Sequence, residues 1–159
     1  MALTLLGVTL PAVAAEPAPR LALVIANSDY ANLPALPNAA RDGDTVSAAL
    51  NTARFVDASG SGPVRPRRNL TAEALRAEIA QFREALARAG PDAFGMVYFS
   101  GHGAAFGAGG NGALLPVDQG PKLDAGLVTR ASLTDDLLAA GARTVVVVLD
   151  MCRSPLDPA

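Results

Sequence analysis

Three apolar runs constrain the fold of this 159-residue chain more than any other feature. They occupy residues 21–26, 94–99 and 144–149, and the third consists almost entirely of valine. Because these runs are short and do not alternate with polar residues, they indicate strands that are buried on both faces. We therefore expect them to form the centre of a parallel sheet.

Helical patterns separate these runs. Apolar residues recur at helical spacing after Thr71, which is a suitable N-cap, and a second helix is predicted from Asn38 as its N-cap to about residue 50. A short helix is predicted over residues 133–140 and a weak strand over residues 54–58. Strands that alternate with helices are typical of the α/β class, with a mainly parallel sheet flanked by helices.

The composition excludes several kinds of site. The 13 Lys and Arg residues are scattered, and the formal net charge is -2, so no extended basic face is available for nucleic acid. A single Cys and a single His exclude an intrachain disulfide and zinc sites built from several Cys and His ligands. We expect no metal, no other cofactor and no nucleic-acid partner.

The N-terminus has most of the features of a secretory signal. An apolar run is followed by Ala-Val-Ala at residues 12–14, but no Lys or Arg precedes the run. Residues 1–14 are therefore either a signal peptide or an apolar lead-in, and they are too short to span a bilayer. The first alternative implies export to the periplasm or the medium, and the second implies the cytoplasm. Residues 15–19 are predicted to be a proline-containing linker before a domain at residues 20–159.

Polar residues of the types that take part in catalysis directly follow each apolar run. These are Asn27-Ser28-Asp29, Ser100-Gly101-His102-Gly103 and Asp150-Met151-Cys152-Arg153. In a parallel sheet with helical crossovers, the C-terminal strand ends share one edge, where catalytic sites collect. We therefore expect His102 and Cys152 to meet at that edge.

His102 and Cys152 are the candidate catalytic pair. A thiol needs a base to form a thiolate near neutral pH, and attack on a carbonyl needs N–H donors for the oxyanion. His102 is the candidate base, and the N–H groups of Gly103 and Cys152 are the candidate oxyanion hole. Asp150 lies on the same side of an extended strand as Cys152. The alternatives are a solvent-facing loop histidine, an inert core cysteine and a turn aspartate.

Five sequence blocks resemble those of bacterial caspase-like proteases, which are relatives of metacaspases and paracaspases. The blocks occur in the family's order over residues 20–159. They are residues 21–27, Leu36-Pro37-Asn38 with Asp42, residues 98–103, residues 114–118 and residues 150–153. The His and Cys are about 50 positions apart, which agrees with the caspase spacing.

The resemblance implies a cysteine-type endopeptidase with a three-layer caspase-like fold. It implies that His102 and Cys152 form the dyad and that Gly103 contributes an oxyanion N–H. Caspases proper have glutamine two positions before the nucleophile and cut after aspartate, whereas this chain has Asp150 there. In metacaspases and paracaspases this carboxylate and one matching Asp42 line the pocket for the residue before the scissile bond. Cleavage of a protein or peptide after Arg or Lys is therefore implied.

The chain departs from the family pattern at two places. Arg41 lies beside Asp42 where the family often has a neutral Asn, so its guanidinium either neutralises the pocket carboxylate or points to solvent. Seven residues follow Cys152, whereas caspase-like domains continue with the strands and helices of the small-subunit part. We therefore expect the C-terminal strands to be missing, either because the chain is a fragment of a longer gene product or because it pairs with a separate partner.

Other functions fit the sequence less well. The glycine-rich residues 101–112 carry Phe106 where a dinucleotide loop needs a small residue, and no Gly-Lys-Ser/Thr follows. The absence of Gly-x-Ser-x-Gly argues against a serine hydrolase of the α/β type. The main alternative function is a non-catalytic caspase-like interaction module.

Overall fold

A computed structural model shows a parallel sheet between two layers of helices. The structure describes residues 17–106, 111–120 and 126–152. The elements in chain order are β1 (Arg20–Ala26), α1 (Pro37–Thr52), β2 (Val56–Asp57), β3 (Pro66–Arg68), α2 (Ala72–Ala89), β4 (Phe94–Ser100), β5 (Gly103–Phe106), β6 (Asn111–Leu114), α3 (Arg130–Ala139) and β7 (Thr144–Asp150).

The main sheet is parallel in every described pairing and has the order β2-β1-β4-β7, with β3 also paired to β1. Ser100 at the end of β4 is in register with Ala26 of β1 and with Asp150 of β7. The C-terminal ends of these three strands therefore lie side by side. Strands β5 and β6 form a separate antiparallel hairpin. The predicted α/β class with a mainly parallel, helix-flanked sheet is confirmed.

The two faces of the sheet bury alternate residues of β1. Leu23 and Ile25 pack in one cluster with residues of α2 and α3, whereas Ala22 and Val24 pack in another with residues of α1. Both faces are covered because β1 lies in the middle of the sheet, which explains the first apolar run.

Strand β7 was predicted to be buried on both faces, but it is packed on only one. Val145, Val147 and Leu149 pack against the cluster that contains α2 and α3. Val146 and Val148 point to the other face and are 37% and 39% exposed. Helix α1 packs over β1, β3 and β4, so among the described residues this face of β7 is left partly open. The prediction was wrong because a valine run signals strand propensity as well as burial.

The start of α1 also differs from the prediction. The helix begins at Pro37, and its N-cap is Leu36, which makes no side-chain capping bond. Asn38 is therefore inside the first turn. Proline suits the first helical position because that position needs no N–H and the ring fixes a helical φ. The Thr71 cap of α2 is confirmed, since its hydroxyl accepts the Ala74 N–H at 3.3 Å.

Some predictions fall outside the described residues. They are the signal peptide at residues 1–14 and the first part of the linker at residues 15–19. Within the described ranges, no helix is long and apolar enough to cross a membrane.

Candidate active site

His102 and Cys152 lie on neighbouring chain segments at the C-terminal edge of the main sheet. The N–H of Gly101 donates to the carbonyl oxygen of Asp150 at 3.3 Å, which ties the turn after β4 to the end of β7. A methyl group on Gly103 would lie 2.5 Å from the carbonyl oxygen of Cys152. The backbone segments that carry His102 and Cys152 are therefore adjacent, and the catalytic pairing of their side chains stays a prediction. The Cys152 thiol is exposed and His102 is half-buried.

The His102 ring has a defined tautomer. Its Nε2 lies 2.8 Å from the carbonyl oxygen of Pro34. Because a carbonyl oxygen only accepts, Nε2 carries the hydrogen in this contact. The neutral ring then has its lone pair on Nδ1, which is the atom that can take a proton.

Tyr30 contacts both the backbone and the ring of His102. Its hydroxyl accepts the His102 N–H at 2.7 Å. The two rings meet edge to face, with centroids 4.7 Å apart and an interplanar angle of 65°. Neither Tyr30 nor Pro34 was a candidate from the sequence, and the only available signal was that both follow β1 closely.

The loop between β1 and α1 is tied at its base and in its middle. The Leu36 N–H donates to the Ser28 carbonyl at 2.8 Å, which closes the loop. The Ala31 N–H donates to the Val117 carbonyl at 2.8 Å, which holds the loop against the segment after β6. These bonds keep the Pro34 carbonyl within reach of the imidazole.

The first polar cluster, Asn27-Ser28-Asp29, supports this loop. Asn27 is fully buried, and its side chain donates to the Leu115 carbonyl at 3.2 Å and accepts the Leu70 N–H at 2.9 Å. The Asn69 side-chain oxygen accepts the N–H groups of Ser28 and Asp29 at 2.9 Å and 3.1 Å. The cluster therefore braces the edge of the sheet on which His102 lies.

Two carboxylates from different elements lie near one phenol. The Tyr98 hydroxyl donates to an Asp150 carboxylate oxygen at 3.3 Å. Burial raises the pKa of Tyr98, and the negative charges of Asp150 and Asp42 raise it further. The charges of Asp42 on α1 and of Asp150 at the end of β7 therefore both act on the Tyr98 phenol. Arg41 is exposed and forms no ion pair within the described part of the chain.

The backbone N–H of Gly103 points away from its partner strand. Gly103 is in register with Leu114, and the next bond of the hairpin runs from the Leu115 N–H to the His102 carbonyl at 3.1 Å. In an antiparallel pair this pattern makes Gly103 and Leu114 a non-hydrogen-bonded pair. The Gly103 N–H therefore takes no part in the β5–β6 ladder.

Among residues 17–106, 111–120 and 126–152, no group of three or more His, Cys, Asp and Glu side chains is arranged to hold a metal ion.

Comparison with known proteins gives one result that covers nearly the whole chain. Residues 19–158 match the family model described as the caspase domain, peptidase family C14. The match includes all ten described elements and both members of the His102 and Cys152 pair. No curated protein matches the chain significantly.

Proposed function

Since this chain belongs to the caspase-domain family of cysteine peptidases, we propose that it is an endopeptidase that uses His102 and Cys152 as its catalytic dyad. The observation that carries this proposal is the state of His102. Its Nε2–H is engaged by the Pro34 carbonyl, which leaves the Nδ1 lone pair for a thiol proton. The exposed Cys152 thiol lies two residues after the end of β7, the strand that pairs with β4.

The proposed reaction has two halves. Nδ1 of His102 takes the thiol proton, and the Cys152 sulfur bonds to the carbonyl carbon of the scissile peptide. The N–H groups of Gly103 and Cys152 donate to the oxyanion of the tetrahedral intermediate. The imidazolium then protonates the leaving amine, and an acyl-thioester remains. In the second half, His102 removes a proton from water, water attacks the thioester, and the thiol is restored.

The proposed specificity is for Arg or Lys before the scissile bond. The Asp150 carboxylate accepts from the Tyr98 hydroxyl two residues before the nucleophile, and the negative charge of Asp42 also acts on that phenol. A guanidinium can pair with a carboxylate through two parallel hydrogen bonds, and an ammonium through its charge. Arg41 is exposed and forms no ion pair with Asp42 in the part of the chain that the structure describes, which leaves the Asp42 carboxylate open to a basic substrate side chain.

The dyad is tested with fluorogenic peptides that end in Arg, Lys or Asp. The assay uses this chain and a version extended by the sequence encoded downstream of residue 159. Cys152→Ala is expected to abolish turnover, and His102→Ala is expected to lower kcat by about 10²–10⁴-fold, the usual contribution of a general base. Failure of both forms to cleave any peptide, or undiminished cleavage by Cys152→Ala, would overturn the proposal. A partner that binds the inactive variants without turnover would favour the non-catalytic module.

The pocket is tested with the same peptides and two neutral variants. Asp42→Asn and Asp150→Asn are each expected to lower kcat/KM for Arg peptides by about 10–100-fold, because each removes a charge-assisted hydrogen bond. Asp44→Asn is the matched control, since Asp44 lies on the same helix but is exposed and pairs with Arg68. A wild-type preference for Asp peptides would reject this specificity and leave the dyad intact.

A further inference from the structure

The Tyr30 side chain links two backbone segments, at His102 and at Leu115. The Tyr30 hydroxyl accepts the His102 N–H at 2.7 Å and donates to the Leu115 carbonyl at 3.3 Å. The Leu115 N–H in turn donates to the His102 carbonyl at 3.1 Å. The three residues therefore form a closed cycle of hydrogen bonds, with the phenol as its one side-chain member.

The neighbouring strands offer no partner to the His102 N–H. His102 lies between strands β4 and β5, and its N–H takes no part in either ladder. Glycines flank it on both sides, and glycine restricts the backbone less than any other residue. A methyl group on Gly101 would lie 2.5 Å from the Tyr30 hydroxyl, so the close approach of the phenol requires glycine there.

We propose that Tyr30 is a positioning residue that holds His102 in the orientation that presents Nδ1 to Cys152. The hydroxyl fixes the His102 backbone, and the contact between the two rings limits rotation of the imidazole. This inference rests on the proposed function of the dyad. It adds a residue that does not touch substrate and acts only through His102.

The ionisation state of Tyr30 suits this role. Burial raises the pKa of the Tyr30 phenol to about 12. The hydroxyl therefore keeps its hydrogen throughout the range in which a thiol and an imidazole exchange protons. The bond to the Leu115 carbonyl persists, and the oxygen stays oriented to accept the His102 N–H.

The first test separates the hydroxyl from the ring. Tyr30→Phe removes the hydroxyl and keeps the ring contact, whereas Tyr30→Leu removes both. We expect Tyr30→Phe to lower kcat about tenfold with KM nearly unchanged, because the His102 N–H loses its acceptor. Tyr30→Leu is expected to lower kcat further, because it also removes the contact between the rings. Asn32→Ala is the matched control, since Asn32 is in the same loop and donates to the Gln119 carbonyl at 3.0 Å without touching His102.

The second test does not depend on activity. His102 is the only histidine, so ¹⁵N-imidazole labelling gives one pair of ring-nitrogen resonances. The wild-type neutral ring is expected to show the tautomer with hydrogen on Nε2. Tyr30→Phe is expected to shift this population towards the other tautomer, and Asn32→Ala to leave it unchanged.

The outcomes separate the two proposals. If the wild type cleaves no peptide but Tyr30→Phe changes the tautomer population, the proposed function fails and the positioning role stands. If Tyr30→Phe leaves the tautomer population and kcat at their wild-type values, the positioning role is wrong. It is also wrong if Asn32→Ala lowers kcat and alters the tautomer as much as Tyr30→Phe does.

Discussion

Gly103 is needed because other protein atoms approach it closely. A methyl group there would lie 2.5 Å from the Cys152 carbonyl oxygen and 2.6 Å from the Met151 sulfur. A methyl group on Gly112 would meet only the end of the Met151 side chain, at 2.6 Å. The hairpin of β5 and β6 is therefore packed against Met151, which directly precedes the candidate nucleophile.

The stability costs of three glycine-to-alanine substitutions should follow from which atoms the new methyl group meets. Gly103→Ala is expected to destabilise the fold by about 1–3 kcal/mol and to lower kcat, because the backbone beside the thiol must move. Gly112→Ala should cost less than about 1 kcal/mol, since a flexible methionine end can shift. Gly120→Ala is the control, because nothing lies within 4 Å of the added methyl group. Urea unfolding and peptide turnover measure the two effects.

A second substitution distinguishes side-chain from backbone crowding. Met151→Ala should relieve the cost of Gly112→Ala, whereas it should relieve the cost of Gly103→Ala only in part, because the Cys152 backbone oxygen remains an obstacle there. Equal stability of the Gly103→Ala and Gly120→Ala proteins would contradict the packing at this turn.

Among the elements, the sequence predicted best those strands and helices that have a clear local pattern of apolar or capping residues. Strands β1 and β4 and helix α2 follow from apolar runs and from the Thr71 cap. Strand β3 (Pro66–Arg68) was not predicted, because a proline and two arginines lack a strand pattern. It forms because β1 offers a ladder to it. The open face of β7 also depends on where α1 lies, which local sequence does not encode.

The two faces of β7 should respond differently to the same substitution. Val147→Thr puts a hydroxyl of nearly equal size beside the α2 and α3 cluster and should destabilise the fold by about 1 kcal/mol. Val148→Thr on the 39% exposed face should stay within about 0.5 kcal/mol of wild type. Chemical denaturation of the two variants compares the faces directly. Equal losses would mean that the open face is covered in solution.

At the scale of the whole molecule, the adjacency of the strand ends that lead to His102 and Cys152 was predictable, and the surroundings of His102 were not. The strand ends meet because all strands of a parallel sheet point the same way. The Pro34 and Tyr30 contacts depend instead on the path of a loop. That path is set by long-range bonds such as that from the Ala31 N–H to the Val117 carbonyl. No local pattern in the sequence indicates such a pairing.

A charged network also joins distant parts of the fold. Arg67 of β3 donates to both carboxylate oxygens of Asp57, at 2.7 Å and 3.0 Å, and to Glu78 of α2 at 2.8 Å. Burial by itself would raise the pKa of Asp57, but the hydrogen bonds from Arg67 and Ser59 hold it below its usual value. Arg67 therefore ties β3 to α2 through Glu78, and it ties β3 to β2 through Asp57 while Asp57 is ionised.

Loss of this charge should lower the stability of the whole domain in a pH-dependent way. At pH 7, Asp57→Asn is expected to cost about 2 kcal/mol, less than a fully buried pair because the Arg67 side chain is 21% exposed. Because the folded-state pKa of Asp57 lies below its unfolded value, the carboxylate stabilises the fold above about pH 4. That contribution fades as the pH falls through the folded-state pKa. The difference between wild type and Asp57→Asn in urea unfolding should therefore shrink towards pH 3. Asp92→Asn is the control, because it breaks the exposed pair with Arg143 and should leave the free energy of unfolding unchanged at either pH. If the difference in unfolding free energy between wild type and Asp57→Asn stayed constant with pH, the loss would come from packing and not from charge.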